Sequence, residues 1–167
     1  MTGVQTCALP ICGVEKIPHQ GTYNANPLCA AAGIATLEIV RDTDALARTH
    51  AYAARLRAGI NDVLTELGVP WAAYGLHTGI HIFINPNNLP ITPKKFDPLA
   101  MDHAALKIPR GNQTVVKLLL AMRTRGVDFA PWPGGPCSAA HGEGDLDRTL
   151  EAFRGSLRAL REEREIA

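Results

Sequence analysis

The chain has 167 residues, of which 46% are hydrophobic and 20% are charged, and its formal net charge is +1. These values are typical of a folded protein of one domain, or of one domain with part of another, and they exclude a disordered tail. A net charge close to zero gives no electrostatic reason to expect nucleic acid, and no apolar run approaches the roughly 20 residues that span a bilayer.

The first eleven residues, Met1–Ile11, resemble the translation of a common short-read sequencing adapter. They lack the basic start and the apolar run of a signal peptide. We therefore leave residues 1–11 out of the fold prediction, treat Cys12 as a junction, and expect the native N-terminal part of the protein to be missing.

Two helices are predicted after an extended entry and turn over Gly13–Tyr23. The first covers Asn26–Val40, and the second ends near Leu67, where Gly68 is typical of the residue that follows a helix. The apolar positions of the second helix recur at intervals of three and four residues, as on the buried face of a helix.

A pair of antiparallel strands is predicted next, over Trp71–Leu76 and Gly79–Asn85. The second strand alternates regularly, with isoleucine at every other position from Ile80 to Ile84. A turn-rich segment follows over Pro86–Pro93, and Phe96–Arg110 is ambiguous.

The rest of the chain predicts a helix over Thr114–Arg125, a short strand over Val127–Ala130, a rigid loop over Pro131–Pro136, another short strand over Cys137–Ala140, and a last helix over about Glu143–Arg164. The predicted fold class is α/β, in the form of an α+β layer with helices over a small, mostly antiparallel sheet.

One block carries the most information about function, and it runs from His19 to Glu38. Gly21 allows a ligand to approach the backbone, and Thr22 adds a hydroxyl suited to an anion oxygen. Asn26 is a favourable helix N-cap, followed by Pro27, where a missing N–H costs nothing. The block resembles the Gly-Thr-x-x-x-Asn-Pro-x-x-x-Ala-Ala-Gly signature of class III (fold-type I) pyridoxal-phosphate-dependent aminotransferases, and most of all the glutamate-1-semialdehyde 2,1-aminomutase-like proteins.

A second block near the C-terminus supports the same resemblance. It consists of Arg125–Pro131, Ser138–His141 and Asp145–Phe153, in the order of the family's closing pattern. This chain departs from the pattern at Gly142, where the family commonly has threonine, so we expect a weaker helix cap there.

The resemblance implies pyridoxal 5'-phosphate as cofactor, a homodimer, and a small amine or amino acid as substrate. Gly21 and Thr22 would contact the phosphate of the cofactor bound by the neighbouring subunit. Residues 13–42 would be a remnant of the large, cofactor-binding domain and residues 43–167 the C-terminal small domain. The first helix would then expose apolar surface that the missing part normally covers.

No catalytic residue is predicted in this chain. The family requires a lysine that forms a Schiff base with the cofactor, about thirty residues before the position of Thr22, and Lys16 is only six residues before it. The parent protein is therefore expected to be an aminotransferase or 2,1-aminomutase, and this chain alone is expected to be inactive. The alternative is a free-standing, non-catalytic α+β domain that binds a partner.

Other chemical groupings are weak, and no metal site is predicted. His77 and His81 flank and enter a strand, where four residues span about 13 Å, too far for a shared zinc ion. Ser138, His141 and Asp145 are the residue types of a hydrolase triad but lack a nucleophile elbow. The cysteines have no disulfide or metal spacing, which favours a cytoplasmic protein.

Overall fold

The computed structural model describes residues 21, 23–24, 26–109 and 111–166. The adapter-like segment, Lys16 and Thr22 lie outside these residues. The chain divides into two compact units, residues 1–44 and residues 45–167. Within the described part, no helix combines the length and the apolar character needed to cross a membrane.

The described part of the first unit is mainly one helix, α1, over Pro27–Asp42. Asn26 caps it, as predicted, because its side-chain oxygen accepts hydrogen bonds from the backbone N–H groups of Leu28 at 2.9 Å and Cys29 at 3.3 Å. The helix ends where the N–H of Thr43 bonds to the carbonyl of Ile39.

The second unit has three long helices and a small sheet. Its helices are α2 over Ala45–Glu66, the short α3 over His103–Leu106, α4 over Gln113–Arg123, and α5 over Glu143–Glu162. The predicted long helices are confirmed within a few residues at each end. The ambiguous segment contains α3 and a short 3-10 turn over Pro98–Ala100, and another 3-10 turn, Pro93–Lys95, lies just before it.

The sheet has three antiparallel strands in the order β1-β2-β3, with β1 over Ala72–Tyr74, β2 over Gly79–Phe83 and β3 over Gly134–Pro136. The predicted hairpin is confirmed, with Ala73 opposite Ile82. Ile80 and Ile82 lie in the buried core, as the alternation predicts.

The third strand was not predicted where it lies, and the strands predicted over Val127–Ala130 and Cys137–Ala140 are absent. The N–H of Val127 bonds to Met122 at the end of α4, and that of Ala130 closes a turn onto the carbonyl of Gly134. The predicted loop forms the strand instead, because Gly134 adopts a φ of 141° and passes so close to Ile80 that any Cβ would overlap its carbonyl oxygen.

The main core lies between one face of the sheet and helices α2, α4 and α5. Its largest fully buried side chains include Ile60, Leu64, Leu118, Phe153 and Leu157. The other face of the sheet is partly covered by Phe96, whose ring stacks on Phe83 at a centroid distance of 5.5 Å and tilts against Tyr74 at 5.6 Å.

Candidate functional site

The predicted cofactor-binding turn lies directly before α1. The N–H of Asn24 bonds to the carbonyl of Gly21 at 3.1 Å, and the N–H of Asn26 bonds to Tyr23 at 3.1 Å, so the chain turns twice before the helix starts. Gly21 is exposed, and a Cβ there would lie 2.6 Å from the side-chain oxygen of Asn24. A larger residue at this position would therefore require the side chain of Asn24 to move. The side chain of Thr22 lies outside the described residues.

The start of α1 gives this turn its electrostatic character. A helix N-terminus carries partial positive charge, which favours an anion nearby. Asn26 takes up the N–H groups of Leu28 and Cys29.

The surface of α1 is apolar and uncovered. None of its residues is buried, and its large apolar side chains include Leu28, which is 79% exposed, and Leu37, which is 69% exposed. The predicted exposed apolar surface on this helix is thus confirmed. A surface of this kind on one helix indicates a contact site for other polypeptide.

A groove of about 890 Å³ crosses the second unit between β2, α4 and the proline-rich loop. Its walls are mainly apolar and aromatic, and they include Tyr74, Ile108 and Trp132. Arg123 also lines it, and the guanidinium of this residue forms an ion pair with Asp128 at 2.6 Å. The sequence did not predict this groove, because its walls come from segments up to sixty residues apart.

The two histidines considered for a metal site do not meet. His77 lies in the turn between β1 and β2 and contacts His50 of α2, whereas His81 stacks on Tyr74 at 5.4 Å. No group of three or more potential metal ligands occurs among the residues that the structure describes.

Ser138 and His141, two of the three residue types of a hydrolase triad, do lie together, but Asp145 does not join them. The backbone N–H of Ser138 lies 3.0 Å from Nδ1 of His141, and the hydroxyl lies 3.3 Å from it. Asp145 accepts the N–H of Gly142 at 2.9 Å instead. This bond is one half of a capping box, and the other half is missing because Gly142, the N-cap residue of α5, has no side chain to accept an N–H of the first helical turn, as the prediction of a weaker cap implies. Ser138 and His141 are exposed residues of a turn.

Comparison with known proteins supports the resemblance seen in the two motif blocks. No protein-family model matches the chain. The glutamate-1-semialdehyde 2,1-aminomutase of Thermus thermophilus is 31% identical over 140 residues, which cover 82% of this chain and 30% of that protein.

Solved structures agree with the sequence comparison. An omega-transaminase from Sphaerobacter thermophilus matches with a TM-score of 0.67 and 28% identity, over 87% of this chain and 31% of that one. A glutamate-1-semialdehyde aminomutase from Pseudomonas aeruginosa PAO1 has the same fold, with a TM-score of 0.65, 23% identity and the same coverage. The chain spans about 30% of the length of the curated relatives it matches. The predicted resemblance to the C-terminal part of these enzymes is therefore confirmed in sequence and in fold.

Proposed function

We propose that this chain is the C-terminal part of a pyridoxal-phosphate-dependent aminotransferase or 2,1-aminomutase, which moves an amino group between an amine or amino acid and a carbonyl. The observation that carries the proposal is a single continuous match. It covers more than four fifths of the chain, reaches 31% identity with an aminomutase, and extends to the fold of a transaminase.

Gly21 and Thr22 would hold the phosphate of the cofactor. The turn supports this role, because Gly21 is exposed and its missing Cβ leaves the backbone open to an oxyanion next to the positive end of α1. The hydroxyl of Thr22 would donate a hydrogen bond to a phosphate oxygen. When bound, pyridoxal phosphate supplies the electron sink for the chemistry, and the protein supplies binding and orientation.

The two units would have different tasks in the parent enzyme. The apolar surface of α1 would pack within the large domain, of which this helix would be a part. The cofactor held by Gly21 and Thr22 would belong to the second subunit of a homodimer. The second unit would close over the substrate and exclude water. We also propose that the parent is a cytoplasmic enzyme, because the spacing of the cysteines in this chain fits no disulfide framework.

This chain alone would not catalyse the reaction. Covalent binding of the cofactor requires a lysine at a spacing that Lys16 does not have. Gly21 and Thr22 would therefore bind the cofactor phosphate only when the remaining part of the parent protein is present.

The test compares the 167-residue chain with the protein encoded by the complete gene. Each is incubated with pyridoxal phosphate and dialysed, and the retained cofactor is measured by absorbance before and after treatment with borohydride. The complete protein should retain about one cofactor per subunit, and the chain alone should retain none. Stable retention by the chain alone would contradict the proposed inactivity, and a complete protein without cofactor would contradict the parent enzyme.

A further inference from the structure

A positively charged surface lies beside the turn between β1 and β2, and the proposed function does not use it. His50 and Arg57 of α2 are seven residues apart, about two helical turns, which places both on the same face of the helix. Arg55 lies two residues before Arg57, on another side of the helix, and forms an ion pair with Glu143.

Two histidines from different elements meet on this surface. The ring of His50 on α2 lies 5.0 Å from the ring of His77 in the turn, measured between centroids, with 37° between the ring planes. His77 has a φ of 50°, a conformation that is uncommon for residues other than glycine. Such a conformation persists only where the surrounding structure fixes it, and it often marks a functional position.

Arg57 is the group that fixes the turn. One of its terminal nitrogens donates to the carbonyl of His77 at 3.2 Å and to that of Gly79 at 2.8 Å. A guanidinium has five N–H groups, so donors remain on its other nitrogens. In the part of the chain that the structure describes, these two carbonyls are its hydrogen-bond partners and no carboxylate pairs with it.

The titratable groups around this surface do not neutralise Arg57. Burial raises the pKa of the nearby Cys137 thiol, although Arg57 acts in the opposite direction, so the thiol stays protonated near neutral pH. Glu143, at the start of α5, is held by Arg55. Arg57 is half-buried, and among the described residues no carboxylate compensates its charge.

We propose that Arg57, His50 and His77 form a binding site for an oxyanion, the phosphate or carboxylate group of a small molecule. Arg57 provides charge-assisted hydrogen bonds, and each imidazole can provide an N–H. A metal ion fits less well, because two imidazoles are half of a tetrahedral set and the neighbouring guanidinium repels a cation. The site lies in the second unit and needs no cofactor, so it is independent of the proposed function.

The test is a titration of the 167-residue chain with inorganic phosphate, and in parallel with succinate, at low ionic strength and about pH 6, where imidazole readily takes up a proton. The histidine ring signals are followed by NMR. The signals of His50 and His77 should shift together and saturate, and those of His81 and His103 should stay in place. Tighter binding of phosphate or of succinate identifies which oxyanion the site prefers.

Variants assign the binding to these residues. His77→Asn keeps a residue that tolerates the left-handed conformation, and Arg57→Gln removes the charge; each should weaken binding about tenfold, as expected for the loss of one charge-assisted contact. His103→Asn, at an exposed histidine beside Asp102, is the matched control and should bind like the wild type. Unchanged binding in His77→Asn with a normal thermal unfolding curve, equal shifts of all histidines, or no saturation would each overturn the proposal.

Discussion

The clearest stability prediction concerns Asn61, which completes the hydrogen bonding of β1. Its side-chain amide donates to the carbonyl of Ala73 at 2.9 Å and accepts the N–H of Ala73 at 2.8 Å. Ala73 is the middle residue of β1 and is only 6% exposed. The amide therefore pairs with both polar groups of a buried backbone position.

Replacing Asn61 with leucine leaves the N–H and the carbonyl of Ala73 without these partners. An unpaired buried donor or acceptor costs about 1–3 kcal/mol. The apolar contacts that leucine adds offset part of the combined cost of the two unpaired groups. We expect Asn61→Leu to lower the free energy of unfolding by about 2–4 kcal/mol.

Urea unfolding followed by tryptophan fluorescence measures this change, because Trp71 is buried in the core. The dependence of the unfolding free energy on urea concentration should stay the same, so that the shift of the transition midpoint reports the change in stability alone. Asn87→Leu is the matched control, since Asn87 is exposed, and it should stay within about 0.5 kcal/mol of the wild type. Hydrogen exchange at the amide of Ala73 should become faster in the Asn61 variant only. A loss below about 0.5 kcal/mol in Asn61→Leu would refute the reasoning.

Three further predictions test single features of the second unit. Gly134→Ala should destabilise the unit by more than about 2 kcal/mol in the same urea assay, because its Cβ would overlap the carbonyl of Ile80; a neutral result would show that β3 can move away. The hydrogen bond from Arg55 lowers the pKa of Glu143, so this ion pair stabilises the fold above the ordinary pKa of glutamate, and the stabilisation is lost as pH falls through the lowered pKa. Glu143→Gln should flatten this part of the curve of stability against pH. A curve identical to that of the wild type would contradict the stabilising role of the pair. Burial raises the pKa of Cys137, so alkylation at pH 8 should be slow and should become fast in denaturant, as peptide mapping by mass spectrometry can show; equal rates would contradict the burial.

The local sequence patterns predicted the parts of the fold that depend on neighbouring residues. The alternation around Ile80 identifies β2, and Asn26 with Pro27 identifies the start of α1, because each of these signals acts within a few residues. The position of β3 could not be predicted in this way. Glycine has a low preference for strands. Gly134 joins the sheet because, without a Cβ, its backbone can lie directly against the backbone of Ile80 in β2.

The same limit applies to the sites. The motif containing Gly21 and Thr22 could be recognised because its residues are adjacent in sequence. The contact between His50 and His77 joins two elements that are separated by 27 positions, and only the fold brings their rings together. Spacing arguments instead directed attention to the pair His77 and His81, which the strand geometry separates.

The most direct test of the central claim is cofactor retention in the complete protein carrying Thr22→Val. Valine has the shape of threonine without the hydroxyl, so this change removes the proposed hydrogen bond to the phosphate and little else. Pyridoxal phosphate retained after dialysis is measured against the wild type, and fold is checked by circular dichroism. We predict that affinity falls about tenfold or more, as for the loss of one hydrogen bond to a charged group. Unchanged retention in a folded variant would contradict the assignment of this turn to the cofactor.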